Sequence, residues 1–367
     1  MPPMSGEASL QEVIHNRLIS GDLPFRDFVE LVLYHPELGY YRQARSPVGK
    51  SADFVTSPAL SPVFSFGLSK LVHEFLSRAG GGTSQIVDVG AGRGELINGL
   101  KEVGRWPLAV GRGEGSANGQ QPTANFINIE RGQSIADLPP ADARLVISNE
   151  LFDAQPFARL VRRGGALCEL TVVERDGQLD WGEREADPRY HAYFAERDIE
   201  LDDGQFADVS LDWTALYDEI CRAVPRGLVV TFDYGYPQDQ LFRSRLRRYG
   251  TAAAYAGQRV SRDLLANPGR QDLTAHINFT DLIRAGERNG FTTLFFDRQA
   301  KFLLALGVTE HELFKPLEEI DGGLDLLDRR DEARRLVLPD GIGEEIRVLV
   351  QGKGVPEEEW SFQRSLW

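Results

Sequence analysis

Apolar positions along the chain follow different rhythms in different stretches. Between residues 8 and 34 they recur at helical spacing. Leu10, Val13, Ile14 and Leu18 form one stripe, and Phe25, Phe28, Val29 and Val32 form another after Pro24. Residues 62–79 repeat that spacing through Phe64, Leu68, Leu71, Val72 and Phe75. From residue 85 short continuous apolar runs take over: QIVDV at 85–89, FINI at 126–129, RLVIS at 144–148 and GLVVTF at 227–232. Such runs, separated by helices or loops, predict a parallel sheet covered on both faces. Segment 158–182 reads differently, and its Gly-Gly and Asp-Gly pairs predict an antiparallel meander. FTTLFF at 291–296 and EIRVLV at 345–350 are two further strands. The stretch 35–62 is rich in Tyr, Pro and Gly, and 111–123 is polar and glycine-rich; both are expected as loops.

Composition narrows the function without naming it. The 367 residues are 42% hydrophobic and 26% charged, enough for one core with large additions or for two domains. A net charge of −14 argues against a general nucleic-acid backbone binder and suits a substrate carrying positive charge. The two cysteines, Cys168 and Cys221, stand in separate segments without metal-ligand spacing. They are expected as free thiols, with no metal site, in a reducing compartment. No apolar run approaches the roughly 18 residues of a membrane span. The start of the chain has neither a signal-peptide apolar block nor an Arg-rich presequence, so a cytoplasmic location is expected.

The first of the buried strands leads into DVGAGRGE, residues 88–95. Gly90, Gly92 and Gly94 fall at every second position, so the dinucleotide pattern G-x-G-x-x-G meets Glu95 where its third glycine belongs. An acid there would repel a pyrophosphate at the helix N-terminus. No G-K-[ST] follows, which excludes a Walker loop. Asp88 ahead of the glycines suits S-adenosyl-L-methionine, which carries a cationic amino-acid moiety and no phosphate. Gly90 and Gly92 would let the backbone approach that moiety, and Asp88 would interact with its ammonium group. For the ribose hydroxyls two acids qualify. Glu130 ends the strand Phe126 to Ile129, and Glu114 has the better spacing but lies in the polar run. Glu130 is preferred.

A second constellation is ISNELFDAQP, residues 147–156. Asn149 and Glu150 end a strand, and Asp153 is expected about one helical turn later. Strand C-termini form the ligand crevice in sheets of this kind. A side-chain amide and two carboxylates there could orient a cationic or amine-bearing acceptor. A guanidinium suits them, because carboxylates pair with it in bidentate geometry. A helix-capping Asp153 and a structural Glu150 are the plain alternative.

These blocks resemble the MidA family of S-adenosyl-L-methionine-dependent methyltransferases, which includes the mitochondrial complex I assembly methyltransferase. The resemblance runs through HPELGYY (35–41), DFVTSP (53–58), DVGAGRG (88–94), NELFDAQP (149–156), FDYGY (232–236), GTAAAY (250–255) and DLTAHINF (272–279). It implies an α/β fold: a class I, Rossmann-like seven-stranded methyltransferase sheet with a helical N-terminal segment and inserted elements. The strands near 291–296 and 345–350 would be its closing antiparallel pair. The expected organisation is a helical segment and lid-like loop over 1–84, then a core over 85–352. Insertions near 158–182 and 236–285 and a tail over 353–367 complete it. The resemblance implies S-adenosyl-L-methionine bound by Asp88, Gly90, Gly92, Gly94, Glu130 and Asn149. It places Glu150, Asp153 and His276 at the acceptor, with a protein arginine as the implied substrate. A small-molecule acceptor and an inactive assembly protein on the same fold stay open, as does a homodimer. Departures from the family pattern motivate the inactive alternative: SPALSP at 57–62 has Ala59 and Pro62 where relatives carry an acid and an amide, and 111–123 replaces a strand and helix. If Phe126–Ile129 is the later strand of the family pattern, Glu130 lies nearer the adenine than the ribose.

Overall fold

The computed structural model describes residues 9–42, 57, 61–79, 82–103, 124–257, 259–316 and 324–364. Its contacts divide the chain into two compact units, one of 1–55, 152–213 and 235–280, the other of 56–151, 214–234 and 281–367. The expected N-terminal segment is thus shared. The helices of 8–34 belong to the first unit and the helix Pro62–Arg78 to the second.

The second unit is built on the predicted sheet. Its strands run in the spatial order Thr292–Arg298, Ile346–Lys353, Gly227–Tyr236, Ala143–Asn149, Ser84–Val89, Ala124–Ile129. The last four pair in parallel, as continuous apolar runs require. Ile346–Lys353 is reversed against both of its neighbours, so the two C-terminal strands close the sheet as an antiparallel pair. Ala124–Ile129 pairs in register directly with Ser84–Val89. It is one of the two strands that flank Ser84–Val89, and the Gly90 N–H donates to Ile129 O, which sets Glu130 beside the loop. The seventh strand counted with this sheet, Ile277–Asn278, pairs in parallel with Gly235–Tyr236 and belongs with them to the first unit.

Val87, Leu145, Val146, Val230 and Phe232 are fully or almost fully buried in this sheet. The helix Pro62–Arg78 buries Phe64, Leu68, Leu71 and Phe75, the stripe read from its spacing. Pro62 stands at the first helical position behind Ser61, whose hydroxyl accepts the Val63 N–H at 3.3 Å. That position tolerates proline because its N–H has no intrahelical partner. Residues 353–364 are not a loose tail: Trp360 and Phe362 are buried, and the Phe362 ring lies 5.6 Å from that of Phe302.

The first unit holds the meander Ala158–Arg163, Ala166–Arg175, Gln178–Glu185, antiparallel throughout. Its second hairpin turns at Asp176 and Gly177, with φ of 52° and 74°. Both values lie in the left-handed region that a two-residue hairpin demands. Helices Leu10–Ile19 and Phe25–Tyr34 cover this sheet through a core that includes Phe25, Phe28, Val32, Phe157 and Val172. Ser9 and Glu12 cap the first helix reciprocally, each side chain accepting the other's backbone N–H.

Candidate active site

In the second unit the site begins at Asp88, near the end of the strand Ser84–Val89 and almost fully buried. Burial raises its carboxyl, and the charges of Glu130 and Glu95 raise it further, to about 7. Three carboxyl groups therefore share one field. Burial also raises Glu130, against a hydrogen bond from the Gly92 N–H that lowers it.

The turn after the strand shows why this loop does not take a phosphate. Gly90 donates its N–H to Ile129 O at 2.8 Å, and Gly94 donates to Ala91 O at 2.7 Å. Gly92 donates to the Glu130 carboxylate. Arg93 donates to the Glu95 carboxylate at 3.2 Å. A phosphate cradle needs such amides free and convergent. Here protein oxygens already hold them, two of those oxygens belonging to carboxylates. The loop is an acidic edge, complementary to an ammonium group.

The three glycines have different duties. All have positive φ: 77° at Gly90, 57° at Gly92 and 75° at Gly94. A Cβ on Gly90 would meet Leu151 Cδ1 at 2.7 Å, and one on Gly94 would meet Asn128 Nδ2 at 2.8 Å. Those two let protein pack against the turn. Among the described residues a Cβ on Gly92 would meet only Glu95 Oε2, at 4.0 Å. Gly92 thus keeps clear a space that no described residue fills, as a cofactor cradle requires. The acids and this opening fit S-adenosyl-L-methionine, whose amino-acid and ribose groups Asp88 and Glu130 would hold. Glu114 lies outside the described residues, as does Ala59.

Asn149 and Glu150 stand where the sequence puts them, at the C-terminal end of the strand Ala143–Asn149. Glu150 has φ of 52°, a conformation that costs a long side chain about 1–2 kcal/mol. Its N–H donates to Phe232 O at 2.9 Å, which holds the backbone there. Asn149 Nδ2 donates to Glu150 Oε1 at 3.0 Å. Asn149 Oδ1 is buried without a hydrogen-bond partner among the described residues. Asp233, fully buried on the neighbouring strand, is an acid that the sequence reading passed over inside FDYGY.

Asp153 departs from expectation. No helix follows Glu150; residues 151–157 form a turn closed by Gln155 N–H donating to Phe152 O at 3.0 Å, and the chain enters the meander at Ala158. Asp153 belongs to the first unit, where the family-like blocks are laced together. Its carbonyl accepts the Ala275 N–H at 3.1 Å. The His276 N–H donates to Thr251 Oγ1 at 3.1 Å. Tyr34 donates to Ala154 O at 2.8 Å, and Tyr41 donates to Asp272 Oδ1 at 2.9 Å. The rings of Tyr34 and Tyr41 stack at 5.3 Å. Burial holds the Tyr41 phenol well above its ordinary range, with Asp272, Tyr34 and Asp153 adding to that. His276 lies 5.5 Å from Tyr236, ring to ring. Four of the blocks, 35–41, 149–156, 250–255 and 272–279, thus converge through hydrogen bonds that no local pattern announces. Among the described residues no group of three or more His, Cys, Asp or Glu could hold a metal ion.

A parallel sheet with an acid-lined glycine turn and an acidic strand end defines a methyltransferase that uses S-adenosyl-L-methionine. Comparison with known proteins agrees. Residues 120–296 match a family model described as S-adenosyl-L-methionine-dependent methyltransferase. A solved structure from Burkholderia thailandensis with S-adenosyl-homocysteine bound is 27% identical and superposes with a TM-score of 0.80, over 97% of this chain and 94% of that one. The protein arginine methyltransferase NDUFAF7 homolog, mitochondrial, of Caenorhabditis elegans is 24% identical over 343 residues, 82% of this chain and 76% of the relative. Its Drosophila melanogaster counterpart is 24% identical over 328 residues, 78% and 72% of the two chains. The chain is an S-adenosyl-L-methionine-dependent methyltransferase, similar to the MidA-like family in these comparisons.

Proposed function

We propose that the methyl acceptor is an arginine side chain of a protein. The observation that carries this reading is the pair Asn149–Glu150. The strand end presents a carboxylate in a strained backbone conformation beside a buried amide oxygen that lacks a partner among the described residues. Two adjacent acceptor atoms, one of them charged, suit a planar cation with several N–H donors better than a hydroxyl or thiol. The names of the C. elegans and D. melanogaster relatives support the same acceptor.

The cofactor supplies a methyl group on a sulfonium, open to in-line displacement. Glu150 holds and orients the guanidinium, so that its nitrogen lone pair is aimed and its positive charge is balanced. Asn149 fixes the Glu150 carboxylate and takes a second N–H. Asp88 and Glu130 hold the cofactor end. His276 and Asp153 lie in the first unit, His276 in contact with Tyr236.

Incubation with methyl-labelled S-adenosyl-L-methionine and a host lysate tests the reading. Label should enter protein and be recovered as methylarginine, and Glu150→Gln should abolish it. Label confined to the small-molecule fraction would replace the protein acceptor with a metabolite. A cytoplasmic location is proposed with it, resting on Cys168 and Cys221 as free thiols.

A further inference from the structure

The chain carries a net charge of −14, yet residues 243–249 read RSRLRRY. Four arginines fall in seven residues, interleaved with the two most exposed large apolar side chains among the described residues: Leu246 at 93% and Tyr249 at 72%. Scattered exposed apolar residues need no explanation, but these two stand together inside the basic run.

The turn is built, not loose. A short 3-10 helix spans Arg245–Arg247, and Gly250 closes it by donating to Arg247 O at 2.9 Å. Arg159 Nη2 donates to Tyr249 O at 2.7 Å, and the Phe206 N–H donates to Arg248 O at 2.8 Å. Arg247 Nη1 donates to Gln240 O at 3.1 Å, and its guanidinium lies 3.5 Å from the Tyr236 ring centroid. Arg248 Nη2 donates to Asp203 O at 2.6 Å. Carbonyl oxygens and an aromatic face satisfy these N–H groups while leaving the positive charge unbalanced. The nearby acids are engaged elsewhere: Asp208 with Arg159, and Asp203 Oδ1 with the Gly164 N–H. Among the described residues only Arg243 of these four has an acid partner, Asp239 at 3.5 Å. The Arg245 carbonyl accepts the Arg248 N–H at 3.4 Å, while its guanidinium has no hydrogen bond or ion pair among the described residues.

Tyr236, under Arg247, is the last residue of the strand Gly227–Tyr236, and its ring lies 5.5 Å from that of His276.

We infer that the turn at 243–249 docks an acidic segment of the protein that carries the methyl acceptor, with an apolar side chain of that segment against Leu246 and Tyr249. The inference rests on the reading of a protein acceptor. Arginine and tyrosine are enriched at interface anchor points, and opposite charge steers encounter. A nucleic acid fits less well, because its long phosphate backbone would also meet the acidic remainder of the chain.

Fluorescence anisotropy of the full chain with a labelled 20-residue peptide tests this. The peptide is rich in Glu and Leu around one Arg; a control replaces each Glu by Lys, and a single-stranded RNA of similar length is the competitor. The acidic peptide should bind in a salt-dependent way, and R245E with L246S should weaken it by about tenfold. These two side chains have no hydrogen bond or ion pair among the described residues, and Leu246 is exposed, so the variant should melt like the wild type and keep its affinity for S-adenosyl-L-methionine. Equal binding of acidic and basic peptides, equal binding by wild type and variant, or preference for RNA would overturn the docking surface. Because binding is read without methyl transfer, failure of the protein-acceptor reading appears separately, as label absent from protein in the lysate experiment.

Discussion

Asp88 and Glu130 stand on and just beyond neighbouring strands, and the charge of Glu130 adds to burial in lifting Asp88 from 3.8 to about 7. The raised value makes cofactor binding sensitive to pH near neutrality. A cationic ammonium beside Asp88 favours the charged carboxylate, so binding must release the proton that the free site holds below pH 7. Affinity for S-adenosyl-L-methionine should rise about tenfold between pH 5.5 and 7, then level as the ligand's own α-amino group begins to titrate near 7.7. Calorimetry in buffers of different ionisation enthalpy should detect the proton release. Asp88→Asn should bind weakly at every pH, without the slope.

The same group predicts a stability slope of the less usual sign. Its folded-state value lies above 3.8, so the ligand-free folded protein holds the proton more tightly than the unfolded chain. Its unfavourable contribution is absent below about pH 4, grows as pH rises toward 7 and is complete above that. Between pH 5 and 8 the wild type should lose stability relative to Asp88→Asn. Denaturant melts of both, without ligand, check this; parallel pH profiles would refute it.

Gly92 and Gly94 should fail differently. Gly92→Val places a branched side chain in space free of protein, so cofactor binding should be lost. Its φ of 57° adds a stability cost of about 1–2 kcal/mol. Gly94→Val drives a side chain into Asn128 and should cost more stability. Paired thermal melts and binding titrations separate the two: a Gly92 variant that binds normally would remove the cradle.

Glu150→Gln keeps the shape of the side chain and removes its charge. Methyl transfer should fall by about two to three orders of magnitude in kcat/KM, the scale on which loss of one orienting charge acts. Cofactor affinity, expected to rest on Asp88 and Gly92, should change little. A parallel loss of cofactor binding would move Glu150 to the cofactor side.

Tyr41→Phe removes the hydroxyl that donates to buried Asp272. Leaving that carboxylate short of a donor should cost about 1–3 kcal/mol. Combining it with Asp272→Asn, which needs that donor less, should cost less than the sum of the single changes. An additive double-mutant cycle would show that the pair is not coupled.

Much of the architecture was legible because it is local. A strand buried on both faces reads as a largely continuous apolar run, as GLVVTF at 227–232 does; a two-residue hairpin needs φ above zero, which Asp176-Gly177 supplies. Glycines at every second position after Asp88, with Glu95 where the dinucleotide pattern has its third glycine, argue against a phosphate loop. The preference for Glu130 rested on a strand ending at Ile129, and direct pairing with Ser84–Val89 gives that strand its place. Asp153 was misread as a residue one helical turn past Glu150, because its turn is shaped by distant partners: Ala275 on its own carbonyl and Tyr34 on that of Ala154.

The sequence by itself determined the periodicity of the elements, the sharp turn at Gly90–Gly94 and the residue types of the site, since each follows from backbone sterics and side-chain spacing within a few positions. Tertiary structure alone decided which carboxylates share a field, which amides are already taken, and that Tyr41 reaches Asp272 across 231 residues. The reason is physical. The charge and hydrogen-bonding capacity of a group depend on what surrounds it in space, and those neighbours arrive from elements far apart along the chain.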